Sequence, residues 1–156
     1  PESLDPNIKS HNYLNLVMAD LEVRDRSSHA WAVLLDTRGY VSEGIGSNVF
    51  FVKNGEILTP NAEFVLPGVS RAVVLELAAG EGLRVPETDI SPEQARDSDE
   101  AFITSTSFCI CPVRSYDGVS LDGDGIPGPV TRRLSDAFAR EAGFDFVGQY
   151  LDALKG

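Results

Sequence analysis

Basic residues are scarce in this chain. Thirteen Lys and Arg stand against 24 Asp and Glu in 156 residues, giving a formal net charge of −11. That balance excludes a nucleic-acid face or an anionic-membrane face, both of which need positive charge. Cysteine is confined to Cys109 and Cys111. Two thiols make neither a disulfide framework nor a complete metal site. Two positions apart on a strand, they are expected to face the same side as small packing groups, with poor geometry for a mutual disulfide. His11 and His29 show no metal-ligand spacing, so no metal is expected. There is no signal-peptide pattern and no apolar run approaching about 18 residues, so no membrane span is expected and a reduced, cytoplasmic setting is the default. The Walker loop, the dinucleotide fingerprint and the G-x-S-x-G elbow are all missing.

What is present suits one domain with a real core, since 42% of the residues are hydrophobic. Residues 10–27 read as a helix. Tyr13, Leu14, Val17, Met18, Leu21 and Arg24 share one face, and Ser10 or Asn12 opens it. Residues 30–36 read as a buried strand. Residues 49–53 and 56–59 flank Asn54-Gly55, a type I′ hairpin signal. Pro67-Gly68 precedes a helix to about Ala79, followed by a short strand over 83–85. Ser91-Pro92-Glu93-Gln94 has the cap, first-turn proline and third-position glutamine of a short helix. Residues 101–104 and 108–113 are strand candidates around a polar bend, 117–129 reads as loop, and a last helix spans about 129–141. Strands and helices mix without a clean βαβ rhythm, which favours a compact α/β or α+β domain.

Only three lysines occur, Lys9, Lys53 and Lys155. Lys9 stands just ahead of the first helix. An uncharged amine there can condense with an aldehyde cofactor and then, once freed, carry a proton as a general acid–base. On its own a lysine is usually a solvated charge. Tyr13, four residues on, is either a packed aromatic or a phenol that bonds a ring oxygen of the cofactor. Glu43 precedes Gly44 and Gly46, which permit close backbone approach or positive φ. It is either a solvated turn acid or a buried carboxylate that keeps a pyridine nitrogen protonated, so that the ring draws electrons. Leu66-Pro67-Gly68-Val69-Ser70 offers free N–H groups and a hydroxyl at a helix start, a natural seat for a small phosphate. Thr104-Ser105-Thr106-Ser107 adds hydroxyls, or is simply a polar turn. Arg71, Arg132 and Arg133 read as structural or surface charges. The amine, the acid and two hydroxyl-rich bends together point to pyridoxal phosphate.

These ordered segments resemble the class IV, fold-type IV pyridoxal-phosphate aminotransferases. The group includes branched-chain, D-amino-acid and (R)-selective amine aminotransferases, with aminodeoxychorismate lyase as a relative. The resemblance is carried by Ile8-Lys9-Ser10-His11-Asn12-Tyr13-Leu14, by 41–50 around Glu43, by Leu66-Pro67-Gly68-Val69-Ser70-Arg71, by Ile103-Thr104-Ser105-Thr106-Ser107 and by the late helix start at 128–133. It implies a mixed sheet or pseudo-barrel flanked by helices. It also implies that Lys9 holds the cofactor and shuttles protons, that Tyr13 bonds the ring hydroxyl oxygen, and that Glu43 bonds the ring nitrogen. Val69, Ser70, Thr106 and Ser107 would contact the phosphate, and Phe108 and Cys109 would border the substrate.

The family has a small N-terminal domain ahead of the lysine segment, which supplies a phosphate-binding arginine and part of a dimer contact. Eight residues precede Lys9 here. The expectation is therefore that residues 1–156 form the large cofactor-binding C-terminal domain without the small one. Ser107-Phe108-Cys109 also departs from the Ala-Ala-Glu of many branched-chain enzymes. The expected activity is transamination between an amino donor, branched-chain amino acids first, and a 2-oxo acid acceptor. A homodimer is implied where the small domain is present. D-amino acids, amines, a lyase reaction and a non-catalytic interaction domain are the alternatives.

Overall fold

The computed structural model describes residues 5–155. Helix α1 (Leu14–Arg26) leads to strand β1 (Val33–Leu35), which pairs antiparallel with β2 (Val41–Gly44). A tight turn, closed by Gly44 N–H to Ser47 O at 2.8 Å, carries the chain into β3 (Asn48–Lys53). Gly46 takes φ +72° in that turn, the conformation that favours glycine. Asn54 and Gly55, with φ of 51° and 79°, form the expected hairpin turn between β3 and β4 (Glu56–Pro60).

A short 3₁₀ turn (Ala62–Phe64) and residues 65–68 lead to α2 (Val69–Gly80). Next come β5 (Glu87–Thr88), α3 (Pro92–Arg96), β6 (Glu100–Ser105), β7 (Cys109–Val113), β8 (Ser115–Tyr116) and β9 (Val119–Ser120). Helices α4 (Pro129–Ala142) and α5 (Phe146–Ala153) finish the chain. The main sheet has the order β5-β4-β3-β6-β7, antiparallel except for the parallel β4–β5 edge. This is the mixed sheet with flanking helices that the family resemblance implied.

Both faces of the sheet are buried, so β3 reads as a nearly continuous apolar run. Phe50, Val52 and Phe102 lie under α2 and α4 with Val74, Ala78 and Leu134. The Phe50 and Phe102 rings stack at 4.8 Å and 6°, an arrangement worth about 0.5–1.5 kcal/mol beyond area burial. Val49, Phe51, Ala101 and Ile103 point the other way, against Val41, Ile90, Ala95 and Leu121. Glu100 ends this pattern. Its buried carboxylate accepts from Val130 N–H at 3.0 Å and Thr131 N–H at 2.9 Å, and so caps α4 from another element. The fit requires Gly128, where a Cβ would fall 2.3 Å from Glu100 Cδ.

Several sequence expectations are corrected here. Helix α1 begins at Leu14, not near Ser10. Ser10 Oγ accepts from Asn12 N–H at 3.3 Å in a local turn and caps nothing. No residue of α1 is buried, so the shared face of Leu14, Val17, Met18 and Leu21 is exposed. The short strand lies at 87–88, not 83–85. The 117–129 loop opens on the β8–β9 hairpin, and α5 follows the helix expected to be last. Cys109 and Cys111 do not share a face. Cys109 has φ +59°, which turns it toward the α2–α4 side, while Cys111 packs on the opposite side. Among the described residues, no helix is long and apolar enough to cross a membrane.

Candidate functional site

One end of the sheet carries a cavity of about 1060 Å³, bounded by the residues ahead of α1, the β2–β3 turn, the start of α2 and the β6–β7 bend. Lys9, Tyr13 and Glu43 all line it, although Glu43 comes from a distant part of the chain. Lys9 is exposed, and its amine sits 5.8 Å from the centroid of the Tyr13 ring. The Tyr13 hydroxyl lies 3.5 Å from His11 Nδ1.

Glu43 is half-buried near the end of β2. Its Oε2 accepts from Leu66 N–H at 3.0 Å. Burial pushes its carboxyl up from the usual range, opposed in part by that N–H and by the Lys9 charge. Ser42, its neighbour, donates to Phe64 O at 2.7 Å and ties β2 to the segment that carries Leu66.

Leu66 leads directly into the anion seat. Gly68 is the residue before α2 and supplies no side-chain cap. The first-turn N–H groups are therefore left for another acceptor. Val69 is exposed there and the Ser70 side chain is buried; both line the cavity, as do Ser105 and Thr106 from the β6–β7 bend. Arg71 points away from the seat. Its buried guanidinium donates to Pro60 O at 3.1 Å and Glu87 Oε2 at 2.8 Å, the structural role expected of it.

Six of the residues named from the sequence thus share one cavity: Lys9, Tyr13, Glu43, Val69, Ser70 and Thr106. Ser107, Phe108 and Cys109 lie outside its lining. Ser107 N–H donates to Ser105 Oγ at 3.1 Å, and Ser107 O accepts from the Tyr150 hydroxyl of α5. Phe108 packs edge-on against Trp31 at 5.6 Å.

Two more residues of the wall are Asn48, which sequence reasoning gave no role, and Thr104, which it named only within the hydroxyl-rich bend. They face each other across the β3–β6 ladder. Thr104 Oγ1 is buried without a hydrogen-bond partner. Asn48 Nδ2 donates to Leu66 O at 2.9 Å. The available signal was a polar residue at an inward position, in step with Phe50 and Val52.

These residues fit pyridoxal phosphate by the chemistry of the donor set: an amine, a half-buried acid, a phenol, and a helix start with free N–H groups beside hydroxyls. The model of the family described as amino-transferase class IV matches residues 1–116. The chain belongs to the class IV aminotransferases. As a member of that family it shares 40% identity over 140 residues with branched-chain-amino-acid aminotransferase-like protein 1 of Arabidopsis thaliana, covering 90% of this chain and 25% of the relative. It is 41% identical over 128 residues to the branched-chain-amino-acid aminotransferase of Escherichia coli K12, covering 81% and 41%. The crystal structure of the Thermobaculum terrenum branched-chain aminotransferase in its PLP form superposes with a TM-score of 0.85 at 36% identity, covering 93% of this chain and 48% of that one. The chain therefore spans between a quarter and about half of the length of these relatives. A putative 4-amino-4-deoxychorismate lyase from Legionella pneumophila, at 24% identity and TM-score 0.79, shares the fold. Class IV aminotransferases are in general pyridoxal-phosphate enzymes, and so are of the enzyme class the site chemistry suggests.

Proposed function

We propose that residues 1–156 form the cofactor-holding part of an aminotransferase that moves an amino group from a branched-chain amino acid to a 2-oxo acid. The observation that carries this reading is the meeting of Lys9, Glu43 and the start of α2 around one cavity. The branched-chain preference is supported by the proteins this chain resembles at 36–41% identity.

In this reading pyridoxal phosphate supplies an aldehyde to take up the amino group and a ring that accepts electrons from the substrate carbon. Lys9 Nζ is the amine that would hold the aldehyde, and as a free amine it would carry the proton of the substrate α-carbon. Glu43 Oε2 holds a proton on the ring nitrogen. Its half-buried position strengthens that attraction, because less water competes for either charge. The Tyr13 hydroxyl orients the ring oxygen. The Val69 and Ser70 N–H groups seat the phosphate, with the Ser70 and Thr106 hydroxyls and the Ser107 bend completing the seat. Phe108 stands behind that bend on the substrate side, whereas Cys109 is turned toward α2 and α4 and takes no part in this reading.

Two measurements test this. Titration with pyridoxal phosphate is expected to give saturable binding with a visible absorption band that Lys9→Ala abolishes. Incubation of the loaded protein with leucine, isoleucine or valine plus 2-oxoglutarate is expected to yield glutamate. Saturable binding without turnover of any branched-chain donor would remove the substrate assignment, and absence of binding would remove the cofactor assignment.

A further inference from the structure

We infer that Asn48 is a positioning residue that locks the Glu43 carboxylate to the anion seat at the start of α2; this rests on the cofactor reading above. Asn48 is the first residue of β3 and is 6% exposed. Its Nδ2 donates to Leu66 O at 2.9 Å and reaches Glu43 Oε2 at 3.5 Å, the outer limit of a hydrogen bond. Leu66 N–H donates to that same Oε2 at 3.0 Å. Carboxylate, carboxamide and the two faces of one residue's backbone therefore close a ring.

The other side of the carboxamide lies close against Gly68. A Cβ added at Gly68 would fall 2.1 Å from Asn48 Oδ1. Asn48 thus touches both the residue that holds the acid and the residue that opens α2. The acid is carried by β2 and the seat by the 65–68 segment, and the Ser42–Phe64 and Leu66–Glu43 hydrogen bonds already tie the two together. Asn48 adds the tie on the Leu66 carbonyl side and reaches on toward Gly68, which holds the acid and the seat at one separation.

The chemistry is specific to an amide of this length. Aspartate would place acceptors against Leu66 O and a second negative charge beside Glu43. Glutamine would need the space that the absence of a side chain at Gly68 leaves to Oδ1. Alanine would leave Leu66 O without its donor and release the backbone on which Glu43 rests.

A double-variant cycle on pyridoxal-phosphate affinity tests the inference, using wild type, Asn48→Ala, Glu43→Gln and the pair. Asn48→Ala is expected to raise Kd about tenfold, and the pair to bind within about twofold of Glu43→Gln alone, because Asn48 acts through the acid. Gly68→Ala, which displaces the carboxamide from the other side, is expected to reproduce the Asn48→Ala effect. Independent effects that multiply, or an unchanged Kd in Asn48→Ala, would overturn the inference. Amide hydrogen exchange without cofactor gives a second readout: Asn48→Ala is expected to speed exchange at Leu66 about tenfold while Phe50 and Phe102 stay protected. Unchanged exchange at Leu66 overturns the lock. Wild type that binds no pyridoxal phosphate overturns the cofactor reading instead, and the exchange result then decides the lock alone.

Discussion

Glu43 and Leu66, 23 positions apart in sequence, are joined by a 3.0 Å hydrogen bond from the Leu66 N–H to the Glu43 carboxylate. It supports the acid on one side only. Burial still dominates and raises the Glu43 carboxyl above its ordinary value of 4.5. The folded protein therefore holds this proton more tightly than the unfolded chain. The group's contribution to stability is fully present below the unfolded pKa and is lost as pH rises through the folded one. Glu43→Gln is expected to raise the melting temperature of the cofactor-free protein at neutral pH, with a flatter loss of stability above pH 4.5. The same variant is expected to weaken pyridoxal phosphate about 10–100-fold, the value of one charge-assisted hydrogen bond. Scanning fluorimetry across pH and a cofactor titration check the two effects together.

Glu100 holds the start of α4 through two backbone N–H groups. Glu100→Ala leaves both donors buried and unpaired. It is expected to cost about 1–3 kcal/mol, or a fall of roughly 3–10 °C in Tm. Glu100→Gln keeps one acceptor and should fall between. Urea denaturation of the three proteins checks the order.

Arg71 joins α2 to the β4–β5 edge through Pro60 O and Glu87. The arginine is buried, whereas the Glu87 side chain is 38% exposed. The two partners are therefore unequal. Arg71→Leu is expected to lose about 1–3 kcal/mol, because Pro60 O loses its donor, while Glu87→Gln should lose about 1 kcal/mol or less. Equal losses in denaturant titrations would contradict this geometry.

Helix α1 buries no residue in this chain. The double substitution Leu14→Ser with Leu21→Ser is accordingly expected to change stability by no more than about 0.5 kcal/mol. A drop of several degrees in Tm would show that the apolar face is covered.

The legible features of this chain are those encoded by local chemistry. Asn54-Gly55 can hardly form anything but the β3–β4 turn, and Ser91-Pro92-Glu93-Gln94 forms the expected capping box. The order of the lysine, glutamate and hydroxyl segments pointed to one site, and six of the named residues line one cavity. What escaped depends on tertiary partners. Periodicity marks an apolar face on α1 but not whether anything covers it. The positive φ at Cys109 inverts the side a simple strand would assign. Asn48 looks like an ordinary strand residue until β3 and β6 pair. Glu100 looks like a solvated acid until α4 folds back over it.

The central claim is that Lys9 carries the cofactor, and reductive trapping tests it most directly. Lys53 is a poor competitor: its hydrogen bond to Asp99, together with Asp97, raises its pKa and keeps it charged. Lys155 lies at the far end of the chain, paired with Asp152. Borohydride reduction after incubation with pyridoxal phosphate, followed by peptide mass mapping, is predicted to place the label on the Lys9 peptide. Label confined to Lys53 or Lys155, or no label at all, would contradict the account.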